Sequence, residues 1–208
     1  MLIASLLAAT LFTATTPLPK EIQEKIAGHS WKEDAPVALD DLAYLRISYW
    51  NMENEESLGE MIVHKTIADK VLGAFQELFE ARFPIERMEL VEAYDTNDDL
   101  SMEANNSSAF CFRPNVTYPH LISLHGYGLA IDINPRINPY HNWEKKIVAP
   151  SSSVEFLDRT RSDVPGMIQQ DDVCYRAFTS RGFEWGGDWT ERRVDYQHFQ
   201  IQLDAIKQ

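Results

Sequence analysis

Two short alternating segments constrain this chain more than any other feature. In Leu129 to Asn134, Leu129, Ile131 and Ile133 share one face of a strand, and Ala130 and Asp132 share the other. In Phe199 to Leu203, Phe199, Ile201 and Leu203 take one face, while His198, Gln200 and Gln202 take the opposite one. Each segment must bury its apolar face on a core. Each therefore turns a metal-ligand type of residue away from that core. Side by side in one sheet, the two segments bring Asp132 and His198 together. His125 precedes the first strand, and Gly128 between them permits a tight turn or a close approach, so His125 can swing back towards Asp132.

Written out, Ser123 to Asp132 reads S-x-H-x-x-G-x-A-x-D, and Asp195-Tyr196-Gln197-His198 follows near the C-terminus. His125, Asp132 and His198 are three N/O ligands with a fourth position left for water, which is the build of a catalytic zinc site. Asp195 is a spare carboxylate and the candidate general base. Taken singly, each residue has a plainer reading; Asp132, for instance, precedes Asn134-Pro135, which is turn chemistry. The joint pattern carries the case. His120 and His141 flank this region in sequence and are candidates for contact with it. His64 has no ligand partner at helical spacing except Glu60.

The rest of the chain bounds the answer. With 208 residues and 44% hydrophobic content, it builds one domain with a real core, or one domain and a short appendage. A formal net charge of -13 argues against nucleic acid as a partner, because phosphate neutralisation needs clustered Lys and Arg. Cys111 and Cys174 form no C-x-x-C, so a thiolate zinc site is disfavoured; they pair only if the chain is secreted, and otherwise stay buried and free.

Residues 1–16 read as a secretory signal or as an apolar N-terminal segment packed on the domain, too short and Thr-rich for a membrane span. The signal reading implies a secreted or periplasmic protein with no membrane span in the mature chain. Residues 17–60 are then an N-terminal extension and 61–208 the main domain. The pattern predicts helices around Lys20 to Ala27, Gly59 to Phe83 and Asp171 to Ser180, and a strand at Met88 to Tyr94. Asp95 to Ser108 reads as a polar loop, and Asp40 to Asn51 as either strand or helix. The fold class is α+β: a single domain with a small antiparallel sheet carrying the site, flanked by helices.

These motifs carry a family likeness. S-x-H-x-x-G-x-A-x-D with D-x-x-H resembles the zinc D-Ala-D-Ala carboxypeptidases and L-Ala-D-Glu endopeptidases, which cut the peptide stems of bacterial peptidoglycan. Vancomycin-resistance carboxypeptidases and phage endolysins are among them. Asn106 to Pro114 is similar to the family segment that carries an active-site Arg. Ser123 to Tyr140, and Gly182 to Trp189 followed by Asp195 to Gln200, match two further blocks in the family's order. The likeness spans roughly residues 85–203.

The resemblance implies His125, Asp132 and His198 as Zn2+ ligands, Asp195 as catalytic base and Arg113 as the residue steadying the oxyanion or a substrate carboxylate. It implies a peptidoglycan stem peptide as substrate. Asp rather than Glu at position 195 is closer to the endopeptidase branch. Three rivals stand beside this reading: a D-Ala-D-Ala carboxypeptidase, a non-catalytic metal- or wall-binding module, and a metal-independent hydrolase using Ser123. No G-x-S-x-G elbow accompanies that serine. Trp185 is expected in the core, and Trp189 on the wall of the cleft. The sequence is silent on oligomeric state.

Overall fold

Two apolar runs meet to make the central sheet. Leu42–Trp50 (β2) and Glu56–His64 (β3) pair antiparallel from Leu42↔His64 to Trp50↔Glu56, and Phe12–Thr15 (β1) adds to the other edge of β2. The computed structural model describes residues 10–113 and 121–206, so the first nine residues of the apolar N-terminal run, and His120, lie outside the described residues. The sheet is covered on both sides. Ala43, Leu45, Ile47, Met61 and Val63 join the main core beneath helix Ala68–Glu80 (α2). Leu42 and Ile62 join a second cluster with Leu18, Ile22 and Ile26, the last two on helix Lys20–Ile26 (α1).

Burial on two faces removes the polar alternation that marks a half-buried strand. That is why Gly59 to Phe83 reads as one helix in sequence and is not one. Met61 and Ile62 lie on β3, and α2 begins only at Ala68. Between them is a turn in which the His64 ring accepts from the Thr66 backbone N–H. α2 then buries Ala68, Val71, Ala74, Phe75 and Leu78 along one stripe. β3 crosses residue 60, where the extension is drawn to end, and side chains from Ala43 to Ile201 share one cluster.

Two further expectations are corrected. Met88 to Tyr94 is not a strand: Val91–Tyr94 is a 3-10 turn. The Asn106 amide brackets the Glu89 backbone, accepting its N–H at 2.8 Å and donating to its carbonyl at 3.0 Å, in place of a neighbouring strand. Asp95 to Ser108 is not a mere loop either. Asn97 caps helix Asp98–Glu103 (α3) by accepting from Leu100 N–H, and Asn105, Asn106, Ser107 and Ser108 are buried.

The C-terminal half is an assembly of short pieces. Ala130–Asp132 (β4), Glu184–Trp185 (β7) and His198–Gln200 (β9) form a sheet in the order β4-β9-β7. Tyr140–Asn142 (β5), Ile147–Ala149 (β6) and Arg193–Asp195 (β8) form another, in the order β6-β5-β8. Every pairing in both is antiparallel. Helix Val173–Thr179 (α4) packs against α2, and Gly182 follows it at φ +88°. Phe199 anchors β9 by stacking on Phe178 of α4, with ring centroids 4.5 Å apart. Cys111 and Cys174 are both buried and free. The architecture is α+β, with the candidate site on a small antiparallel sheet. Among the described residues, no helix is long and apolar enough to cross a membrane.

Candidate metal centre

β4 and β9 are in register with Asp132 opposite His198. The alternation of both strands thus delivers the two side chains to one point. His125 arrives from a separate 3-10 turn, Leu124–Tyr127. Ser123 starts that turn, its hydroxyl accepting from the His125 backbone N–H, so Ser123 orients the loop. Gly128 ends the turn at φ +67°, and a Cβ there would stand 2.5 Å from the His64 backbone nitrogen. The loop is thereby pressed onto the end of β3, and only glycine fits both the angle and the gap. Gly128→Ala is expected to cost about 3 kcal/mol through backbone strain and overpacking. That is a fall of roughly 6–12 °C in Tm for a chain of this size; a thermal melt within 2 °C or so of wild type would contradict this packing.

His125, Asp132 and His198 are all buried, and one ligand atom from each lies within 4.8 Å of the others. His125 Nε2 is 3.2 Å from Asp132 Oδ2, and His198 Nδ1 is 3.0 Å from Asp132 Oδ1. The two imidazole nitrogens are 3.2 Å apart.

The far side of each ring decides what these atoms are. His125 Nδ1 lies 2.6 Å from the Ala109 carbonyl, which only accepts, so that nitrogen carries the proton and Nε2 presents its lone pair. His198 Nε2 lies 3.0 Å from Gln200 Oε1 and by the same logic donates, leaving Nδ1 to face the cluster. Two lone pairs and a carboxylate converging in a buried space repel one another unless a cation or proton sits among them. Two imidazoles and a carboxylate are a donor set suited to zinc. The residues fit that metal.

Protonation follows the same electrostatics. Burial alone would raise the Asp132 carboxyl, but the charges and hydrogen bonds of His125 and His198 outweigh it and hold it well below the usual carboxylate range. Burial opposes a charged His198, yet Asp132 and Asp195 raise its pKa.

Asp195 ends β8, in register with Tyr140 and two residues short of β9, and lines the same cleft as His125, Asp132 and His198. Its Oδ1 is buried with no hydrogen-bond partner among the described residues. Burial pushes this carboxyl up to about 7, with Asp132 adding to the rise and His198 and Arg113 opposing it. A carboxyl poised near neutrality can both take and return a proton. Gly186 packs against it: a Cβ there would stand 2.5 Å from the Asp195 carbonyl oxygen.

Arg113 lines the same cleft and forms an ion pair with Asp98 at 2.9 Å. Asp98 is a cleft residue that sequence reading missed; its only signal was a place just after the Asn97 cap. Asn106, Ser107 and Ser108, which read in sequence both as the end of a polar loop and as the start of the Arg-bearing segment, are buried. Ser108 exchanges backbone hydrogen bonds with Asp132, closing the outer edge of β4. Of the other histidines, His64 closes the end of β3, and His141 stacks edge-on against Trp143 and does not line the cleft. Trp185 is buried and Trp189 lines the cleft, its ring centroid 5.6 Å from that of His198.

The family suspected from the three sequence blocks is the one that matches. Residues 117–201 fit the model of a family described as D-alanyl-D-alanine carboxypeptidase. This stretch is less than half of the 208-residue chain; it includes His125, Asp132, Asp195 and His198 but not Arg113. No curated protein and no solved structure matches the chain.

Proposed function

We propose that this chain is a zinc-dependent peptidase that hydrolyses a peptide bond in peptidoglycan stem peptides, acting as a secreted or periplasmic enzyme. The observation that carries the reading is the convergence of His125 Nε2, Asp132 and His198 Nδ1 in a buried space beside an unpartnered carboxylate oxygen of Asp195. His125, Asp132 and His198 would hold the ion. Zinc in such a place supplies Lewis-acid polarisation and acidifies a water.

The chain's own groups do the rest. Asp195 accepts the proton of the attacking water and returns it to the leaving amine. Arg113, held by Asp98, donates hydrogen bonds to the oxyanion that develops on the carbonyl or to a substrate carboxylate. Trp189 walls the cleft beside His198. The cleft encloses about 1340 Å³, more than the roughly 300–1,000 Å³ of an ordinary small-ligand site, as suits a peptide attached to a polymer.

L-Ala-D-Glu endopeptidase-like cleavage is the favoured scission, because Asp stands at position 195. The matched family, described as D-alanyl-D-alanine carboxypeptidase, favours a second reading of that activity. Defined stem peptides resolve the two: mass analysis shows either internal scission or release of a terminal D-Ala. Digestion of purified peptidoglycan should stop on adding a zinc chelator and resume on adding zinc. Zinc binding without any digestion would leave a wall-binding module.

A further inference from the structure

Glu184 takes no part in the chemistry described above, and Gln200 enters it only as the partner of His198 Nε2, although both line the cleft. They are register partners across β7 and β9. Gln200 also shares a strand face with His198, two residues away. The Gln200 amide has one consistent orientation. Its Nε2 lies 3.0 Å from Glu184 Oε2, and a carboxylate only accepts. Its Oε1 is therefore the atom facing His198 Nε2 at 3.0 Å. Gln202 Nε2 donates to the same Glu184 oxygen at 2.7 Å, which holds the carboxylate in place from the far side.

From this geometry we infer that Glu184 and Gln200 form a relay that selects the Nε2–H tautomer of His198 and so makes Nδ1 the metal-binding atom. The inference rests on the zinc reading of the site. The two imidazoles differ in how this choice is made. For His125 it is made by a backbone carbonyl, that of Ala109, which no side-chain substitution removes. For His198 it is made by two side chains on neighbouring strands. His198 is thus the ligand whose state is set by replaceable residues, and Gln200 and Glu184 act on the metal through it as positioning residues.

The test is zinc affinity in Gln200→Leu, which keeps the side-chain bulk and removes the acceptor, measured by competition with a chromophoric chelator. The expected result is a 10–100-fold weaker Kd, the usual effect of losing a partner that orients a ligand, with an unchanged melting temperature for the metal-free protein. Glu184→Gln should weaken zinc by less, and should add nothing in the Gln200→Leu background, because Glu184 acts through Gln200.

Zinc affinity of Gln200→Leu within twofold of wild type, or a full additive effect of Glu184→Gln in the double variant, would overturn the relay. Failure of wild type itself to bind zinc would instead remove the metal reading on which the relay depends.

Discussion

Replacing Asp195 by Asn is expected to lower kcat on a stem peptide by about 10²–10⁴-fold, the range for loss of a positioned general base, while zinc content and fold persist. The amide has the same shape but cannot take a proton. It also disturbs little: Asp195 Oδ1 accepts no hydrogen bond among the described residues, and the position of residue 195 comes from backbone pairing with Tyr140 and from the packing of Gly186. Elemental analysis and a thermal melt, run beside the rate assay, separate lost chemistry from lost structure. Turnover within about threefold of wild type would remove Asp195 from its assigned role.

Replacing His125 by Ala acts on the ion instead. Two of the three donors remain, and zinc per chain after dialysis should fall towards background. Part of the effect is structural, because the Ala109 carbonyl loses its partner; leaving a buried acceptor unpaired costs about 1–3 kcal/mol. A comparison with chelator-stripped wild type isolates that part. Added zinc at about a hundred times Kd should stabilise wild type by about 2.7 kcal/mol and leave His125→Ala unmoved. Full zinc occupancy in this variant would exclude His125 from the ligand set.

The site was more legible in the sequence than the fold that carries it. Asp132 and His198 are joined by strand alternation, which is written locally: Leu129, Ile131 and Ile133 must go inward, so Asp132 cannot; His125 comes in on the turn that Gly128 closes. What failed was local reasoning about segments whose surroundings are set from far away. Met61 to Val63 is sandwiched between two clusters, and a strand buried on both faces has no period of two to read. Glu89 satisfies its backbone on the Asn106 amide, and the buried Asn105 and Ser107 side chains accept from the backbone N–H groups of Arg136 and Asn134, so hydrophilicity there marks a buried hydrogen-bonded wall and not a loop. Asp98 meets Arg113 across 15 positions of sequence, through a helix too short to announce itself.

Two of the proposed metal ligands and the proposed base stand on different sheets. His198 and Asp132 belong to β9 and β4, while Asp195 belongs to β8, which pairs with β5 and not with β9. Only Tyr196 and Gln197 join the two along the chain. A tilt of the β5–β6–β8 layer would therefore alter the reach between carboxylate and ion without touching any donor. On the proposed zinc-peptidase reading, turnover and metal retention are then free to drift independently, so that a rate can be retuned for a new peptide with the grip on the cation left as it was.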